Sequence, residues 1–186
     1  MENARTAKTL LLLRHAKSAW DQDVSDHERA LNGRGRRDAV AAGQLLVQQG
    51  WLPDVVACST ATRTRETWDR AVKGGASAAE VRYLDAIYEA RVTDLARVVR
   101  SMPETARTVL LIGHGPGVPD LVEFLASRTR KSAAAWDRLD HKYPTAGLAV
   151  LTFGGRWGEI GESRAELLAF EVPRGTKPAE IRHTPA

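Results

Sequence analysis

Three short stretches of the chain set histidine or arginine among small, turn-forming residues: Arg14-His15-Ala16-Lys17, Ser59-Thr60-Ala61-Thr62-Arg63, and Gly113-His114-Gly115-Pro116-Gly117. Histidine offers an unprotonated ring nitrogen near neutral pH. That nitrogen can attack phosphorus and leave again, splitting one hard displacement into two easier ones. Arginine grips phosphate with a bidentate fork. If the three stretches meet, two histidines and two arginines share one place, and burying them without an anion is costly. A phosphate is the natural occupant. The arginines alone would serve for holding it, so the histidines point further, to a phosphohistidine intermediate whose charge the remaining groups stabilise.

Elements must bring these stretches together. Thr9–Leu13, Val55–Cys58 and Thr108–Ile112 read as fully buried strands, and each runs directly into one of the three stretches. Val81–Leu84 is a further strand, and Leu148–Phe153 and Leu167–Val172 are two late ones around a Gly-rich turn. Helices are expected from Asn32 to Gln49, Ala61 to Lys73, Thr93 to Met102, and through Pro119 to about Ser127. Gly33, Gly35 and Gly43 count against the first of these, and Ser59 or Thr60 is placed to cap the second. Apolar strands alternating with helices predict an α/β three-layer sandwich with a mostly parallel central sheet and helices on both faces. Ligands of such sheets sit beyond the carboxyl ends of the strands, where the three stretches lie.

Length and composition set the frame. At ~150 residues per domain, 186 residues make about one domain. It is expected over residues 1–172, with a flexible tail from 173 to 186. The 43% hydrophobic and 27% charged fractions are those of a globular protein and exclude a membrane bundle. No stretch reads as a secretory signal, so the expected compartment is the cytoplasm. The net charge of +4 fits phosphorylated or acidic partners or a solvated arginine-rich surface. Only 6% of residues are aromatic and the arginines are scattered, which argues against nucleic acid.

The motifs resemble those of the histidine phosphatase superfamily. Leu12 to Trp20 is similar to its signature, Ser59 to Thr67 to its second motif, and Ile112 to Gly117 to its third. The short chain and the Arg-His-Ala-Lys-Ser start look most like the bacterial SixA-type phosphohistidine phosphatases. The resemblance implies a phosphoglycerate-mutase-like fold and a phosphatase without metal or cofactor. Its substrate would be phosphohistidine on a signalling or phosphotransfer protein, or else a small phosphorylated metabolite. His15 would be the nucleophile, its other ring nitrogen donating to a backbone carbonyl. Arg14 and Arg63 would clamp phosphate beside His114. Lys17, Ser59 and Gly115 are candidates for contacting substrate, with helix capping as the other reading of Ser59. Glu89 is the candidate general acid and Asp85 its runner-up, and a solvated surface role or no acid at all stays open. Arg65, two positions from Arg63, points elsewhere on the helix.

The chain departs from the superfamily pattern at three positions. Ala16 replaces a common glycine. Asp21 stands where mutase-like members carry asparagine, and is expected to turn away or pair with Lys17. Ala30 replaces a proline in the segment that holds Arg29, itself weighed as a pocket residue. His27 and His141 are expected at the surface, and no His-x-x-x-His spacing offers a metal site.

Rival readings fail on spacing. Cys58 and Arg63 are separated by four residues, where a cysteine-based phosphatase loop needs five. The glycines after Ile112 do not form a dinucleotide fingerprint, and neither a Walker loop nor a Gly-x-Ser-x-Gly elbow is present. A non-catalytic phosphate- or phosphoprotein-binding module stays open as an alternative.

Overall fold

A computed structural model describes residues 7–20 and 23–177. The strands are β1 (Lys8–Arg14), β2 (Val55–Ser59), β3 (Glu80–Leu84), β4 (Thr108–Gly113), β5 (Ala126–Ser127), β6 (Leu148–Phe153) and β7 (Ala165–Glu171). The helices are α1 (Gly33–Gln48), α2 (Thr62–Lys73), α3 (Val92–Arg100), α4 (Gly117–Leu125) and α5 (Ala133–His141). One sheet holds the strands in the order β3-β2-β4-β1-β6-β7-β5. Strands β1 to β4 are mutually parallel, and β6 runs against both β1 and β7.

Strand β1 shows how the sequence builds the layers. Leu10 and Leu12 enter the core beneath α3, α4 and α5, while Leu11 and Leu13 enter the core beneath α1 and α2. A strand buried on both faces needs this unbroken apolar run. The structure is thus the expected three-layer α/β sandwich.

The local differences from the sequence reading have physical causes. The glycines of α1 do not break it, and two of them, Gly35 and Gly43, are where other backbone touches the helix. A Cβ on Gly43 would lie 1.9 Å from the Ala71 carbonyl oxygen of α2, and one on Gly35 would lie 2.0 Å from that of Lys17. Asn32 caps α1, its side chain accepting from the Gly35 amide at 2.8 Å. Helix α2 starts without a side-chain cap at Ala61, since the Ser59 and Thr60 hydroxyls are drawn to His114 and Asp85. Helix α4 stops at Leu125 because Ala126 and Ser127 pair with β7. Helix α5 was not anticipated.

Just past β7 the chain is tied back. Arg174 and the Gly175 amide both bond the buried carboxylate of Asp38 in α1, at 3.1 Å each. Arg174 also donates to the Thr145 carbonyl at 3.1 Å. No helix among the described residues is long and apolar enough to cross a membrane.

Candidate active site

Strand register assembles the site. Arg14 pairs with Gly113, and the His15 amide extends the ladder by donating to the Gly113 carbonyl at 3.0 Å. His15 and His114 therefore leave adjacent strands together, with ring centroids 5.3 Å apart. On the other side of β4, Cys58 pairs with Ile112. That brings Ser59 to the same end of the sheet, and the chain then turns into α2 and presents Arg63. At the end of the ladder between β1 and β6, the Ala146 amide bonds the carbonyls of both Arg14 and His15.

His15 is 7% exposed. Its Nδ1 lies 2.7 Å from the Ala16 carbonyl and must carry the proton, which leaves Nε2 with a free lone pair. Burial drives the ring's pKa down to about 3; the bond to Ala16 opposes this, and His114, Arg63 and Arg14 add to it. His114 is lowered to about 4, again chiefly by burial and then by Arg63. Both rings are neutral at pH 7.

The arginines are fixed at one edge and open at the other. Arg14 donates through Nη1 to the Tyr143 carbonyl at 2.8 Å. Arg63, 5% exposed, donates through Nη1 and Nη2 to the Asp26 carbonyl and carboxylate at 2.6 and 2.9 Å. His114 Nε2 is 2.8 Å from the Ser59 hydroxyl. Among the described residues, the buried Nε of Arg14, Nε of Arg63 and Nδ1 of His114 have no partner. With the Ser59 hydroxyl donating to Nε2, Nδ1 of His114 is a third donor.

All four residues line one cleft of about 940 Å³, together with Lys17, Gly115, Glu89, Arg29, Asp26 and Trp20. A Cβ on Gly115 would lie 3.1 Å from Cζ of Arg14, so the glycine makes room for the guanidinium. Glu89 is exposed with a left-handed backbone, φ 49°. Ser59 does not line the cleft; it is fully buried, and its hydroxyl is bonded to the ring of His114. Asp85 is also outside the cleft, accepting from the Thr60 hydroxyl at 2.6 Å. His27 is not a free surface group: it bonds Thr60 at 3.0 Å and meets Tyr88 edge-on. Arg65 is exposed and lies over Tyr83. Asp21 lies outside the described residues. Among the described residues, no three His, Cys, Asp or Glu side chains converge to hold a metal ion.

Sequence reasoning missed Asp26 and Tyr88. Asp26 accepts from Arg63, Arg29 and the Tyr88 hydroxyl, and so joins the loop after β1 to the loop before α3. No motif signals such a pairing. Cys58 is buried, and burial pushes its thiol up to about 12.

The sequence profile of the histidine phosphatase superfamily (branch 1) matches residues 10–157. The uncharacterized protein Rv1276c of Mycobacterium tuberculosis (strain H37Rv) is 36% identical over 162 residues, covering 87% of this chain and all of that one. A solved structure described as phosphohistidine phosphatase SixA from Nakamurella multipartitia is also 36% identical. It superposes with a TM-score of 0.76 over 90% of this chain and 96% of that one. Another described as SixA, from Agrobacterium tumefaciens, is 27% identical with a TM-score of 0.70, over 89% and 98% of the two chains. The profile spans every residue that lines the cleft, from Arg14 to Thr145, and by these matches the chain belongs to the histidine phosphatase superfamily, as a SixA-like phosphatase.

Proposed function

We propose that this enzyme hydrolyses phosphohistidine on a protein, without a metal, through a covalent phosphoryl intermediate on His15. One observation carries the reading. The unpartnered donors Arg14 Nε, Arg63 Nε and His114 Nδ1 are buried in the cleft that holds His15, whose Nε2 keeps its lone pair. A buried donor without a partner costs about 1–3 kcal/mol. A tetrahedral oxyanion satisfies all three at once, with its phosphorus before Nε2 of His15.

The steps follow from this geometry. The neutral His15 ring attacks phosphorus in line, needing no base because it holds no proton on Nε2. The leaving group departs with the bonding pair, and the two arginines and His114 hold the equatorial oxygens. Water then attacks phospho-His15 and returns the ring. An imidazole leaving group needs little acid help, so this reaction does not depend on Glu89 or Asp120 in the cleft wall. The SixA name of similar structures agrees with that substrate class.

Hydrolysis of small phosphate esters is a second reading, favoured by one observation: Glu89 lines the cleft, where an acid could protonate an alkoxide. A substrate panel separates the two. Phosphohistidine protein should be the better substrate, turnover should survive a chelator, and His15→Ala should lose activity by roughly three orders of magnitude or more. The trapped phosphoenzyme should be acid-labile and alkali-stable. Loss of turnover in chelator, or an alkali-labile phosphoenzyme, would sink the mechanism. A strong preference for sugar phosphates, abolished by Glu89→Gln, would establish the second reading instead.

A further inference from the structure

The mouth of the cleft carries two groups that do not themselves hold the phosphoryl oxygens. Asp26 accepts from Nε and Nη2 of Arg29 at 2.9 and 2.7 Å on one carboxylate oxygen. The other oxygen accepts from Nη2 of Arg63 and from the Tyr88 hydroxyl, at 2.9 Å each. Burial opposes its ionisation, but the bonds from Tyr88 and Arg29 and the charge of Arg63 outweigh that and hold the carboxyl down at about 2. Asp26 is therefore a standing anion and no acid. Its side chain is 47% exposed, whereas Arg29 and Arg63 are 8% and 5% exposed. Trp20, 73% exposed, is covered on one face by the Arg29 guanidinium at 3.7 Å and is otherwise open. Both residues line the same cleft as His15.

In-line displacement places the leaving atom opposite the attacking nitrogen. His15 attacks from the buried floor, so the leaving group faces the mouth. A carboxylate and an open indole both attract a cationic ring, and of the carboxylates that line the cleft, Asp26, Glu89 and Asp120, Asp26 is the one bonded to Arg63. We propose that Asp26 and Trp20 form a subsite for the imidazole of the substrate's phosphohistidine. The inference rests on the phosphohistidine reading and deepens it. Asp26 stabilises the ring as imidazolium, with its proton on the nitrogen that does not carry phosphorus. When the bond from His15 Nε2 to phosphorus forms, the pair of the breaking P–N bond stays on the ring. Neutral imidazole departs with the proton it brought, and no external acid enters the step. An aryl phosphate stacks on Trp20 but carries no charge for Asp26 to hold.

The test compares the full-length enzyme with Asp26→Asn and Trp20→Ala on a phosphohistidine peptide and on an aryl phosphate. Asp26→Asn should lower the ratio of kcat/KM for phosphohistidine to kcat/KM for the aryl ester by about tenfold. Trp20→Ala should raise KM for phosphohistidine by about threefold or more. An equal loss on both substrates would mean that Asp26 merely holds Arg63, and would overturn the subsite while leaving the phosphohistidine reading intact. An unchanged ratio overturns it equally. A wild-type enzyme that turns over the aryl ester and not phosphohistidine defeats the underlying reading, and the subsite with it. Should Asp26→Asn lose its fold by circular dichroism, Trp20→Ala decides: an unaltered KM overturns the subsite.

Discussion

A histidine that must attack phosphorus is useless when protonated, and His15 is kept neutral by its surroundings. Its pKa of about 3 and that of His114, about 4, lie far below the ordinary value of about 6.5. The acid limb of kcat/KM, corrected for the substrate's own ionisation, should therefore fall below pH 5. A limb centred near 6.5 would show that the ring is solvated after all. The same depression acts on stability. Between pH 3 and 6.5 the unfolded His15 ring binds a proton that the folded ring refuses. Acidification through this window therefore destabilises the fold, by at most about 1.4 kcal/mol per pH unit from this one group, and the penalty is absent above about 6.5. Urea melts at pH 7 and pH 5 should differ accordingly, and less so in His15→Ala. His15, Arg14, Arg63 and His114 were legible in the sequence because each stands just past a buried strand, in a motif with few alternatives. Asp26 and Tyr88 were not legible. They meet across 62 positions, and nothing local marks either. Ser59 was misplaced because a serine ahead of a helix fits a cap, a ligand contact and a ring-orienting role equally well.

Helix α1 illustrates what periodicity leaves out. A glycine inside a helix costs about 1 kcal/mol relative to alanine, so the sequence reading counted the glycines of this helix against it. Their reason is tertiary: at Gly43, α1 lies so close to α2 that a methyl group would fall 1.9 Å from the Ala71 oxygen. Gly43→Ala should therefore destabilise the protein by about 1–3 kcal/mol in a urea melt, despite the better intrinsic propensity of alanine. Gly154→Ala, where a Cβ would meet nothing within 4 Å, should stay within about 0.5 kcal/mol of wild type. Equal responses would mean that α1 and α2 are not so closely packed. The central strands were legible because unbroken apolar runs have few other uses. Helix α5 was missed because its buried residues, Ala135, Trp136 and Leu139, are too few to set a period.

The molecule as a whole is organised around the carboxyl ends of β1, β2 and β4, and the segment just past β7 is tied in beside them. Arg174 bonds the carbonyl of Thr145, whose neighbour Ala146 holds the carbonyls of Arg14 and His15. This link between Arg174 and the backbone of His15 lies in the expected tail, where no hydrophobic pattern announces it.

Cys58, the one sulfhydryl of the chain, lies in β2 fully buried and protonated. Oxidants disable phosphatases whose nucleophile is a thiolate, and reductants revive them. On the proposed mechanism the attacking atom is nitrogen, and the one thiol is buried and protonated, so oxidation of a thiolate has no place in it. Hydrogen peroxide at doses that silence an exposed thiolate should leave its turnover intact. An inactivation reversed by dithiothreitol would contradict this. In a cell under oxidative stress, this enzyme would keep clearing phosphoryl groups while its sulfur-dependent counterparts stand idle.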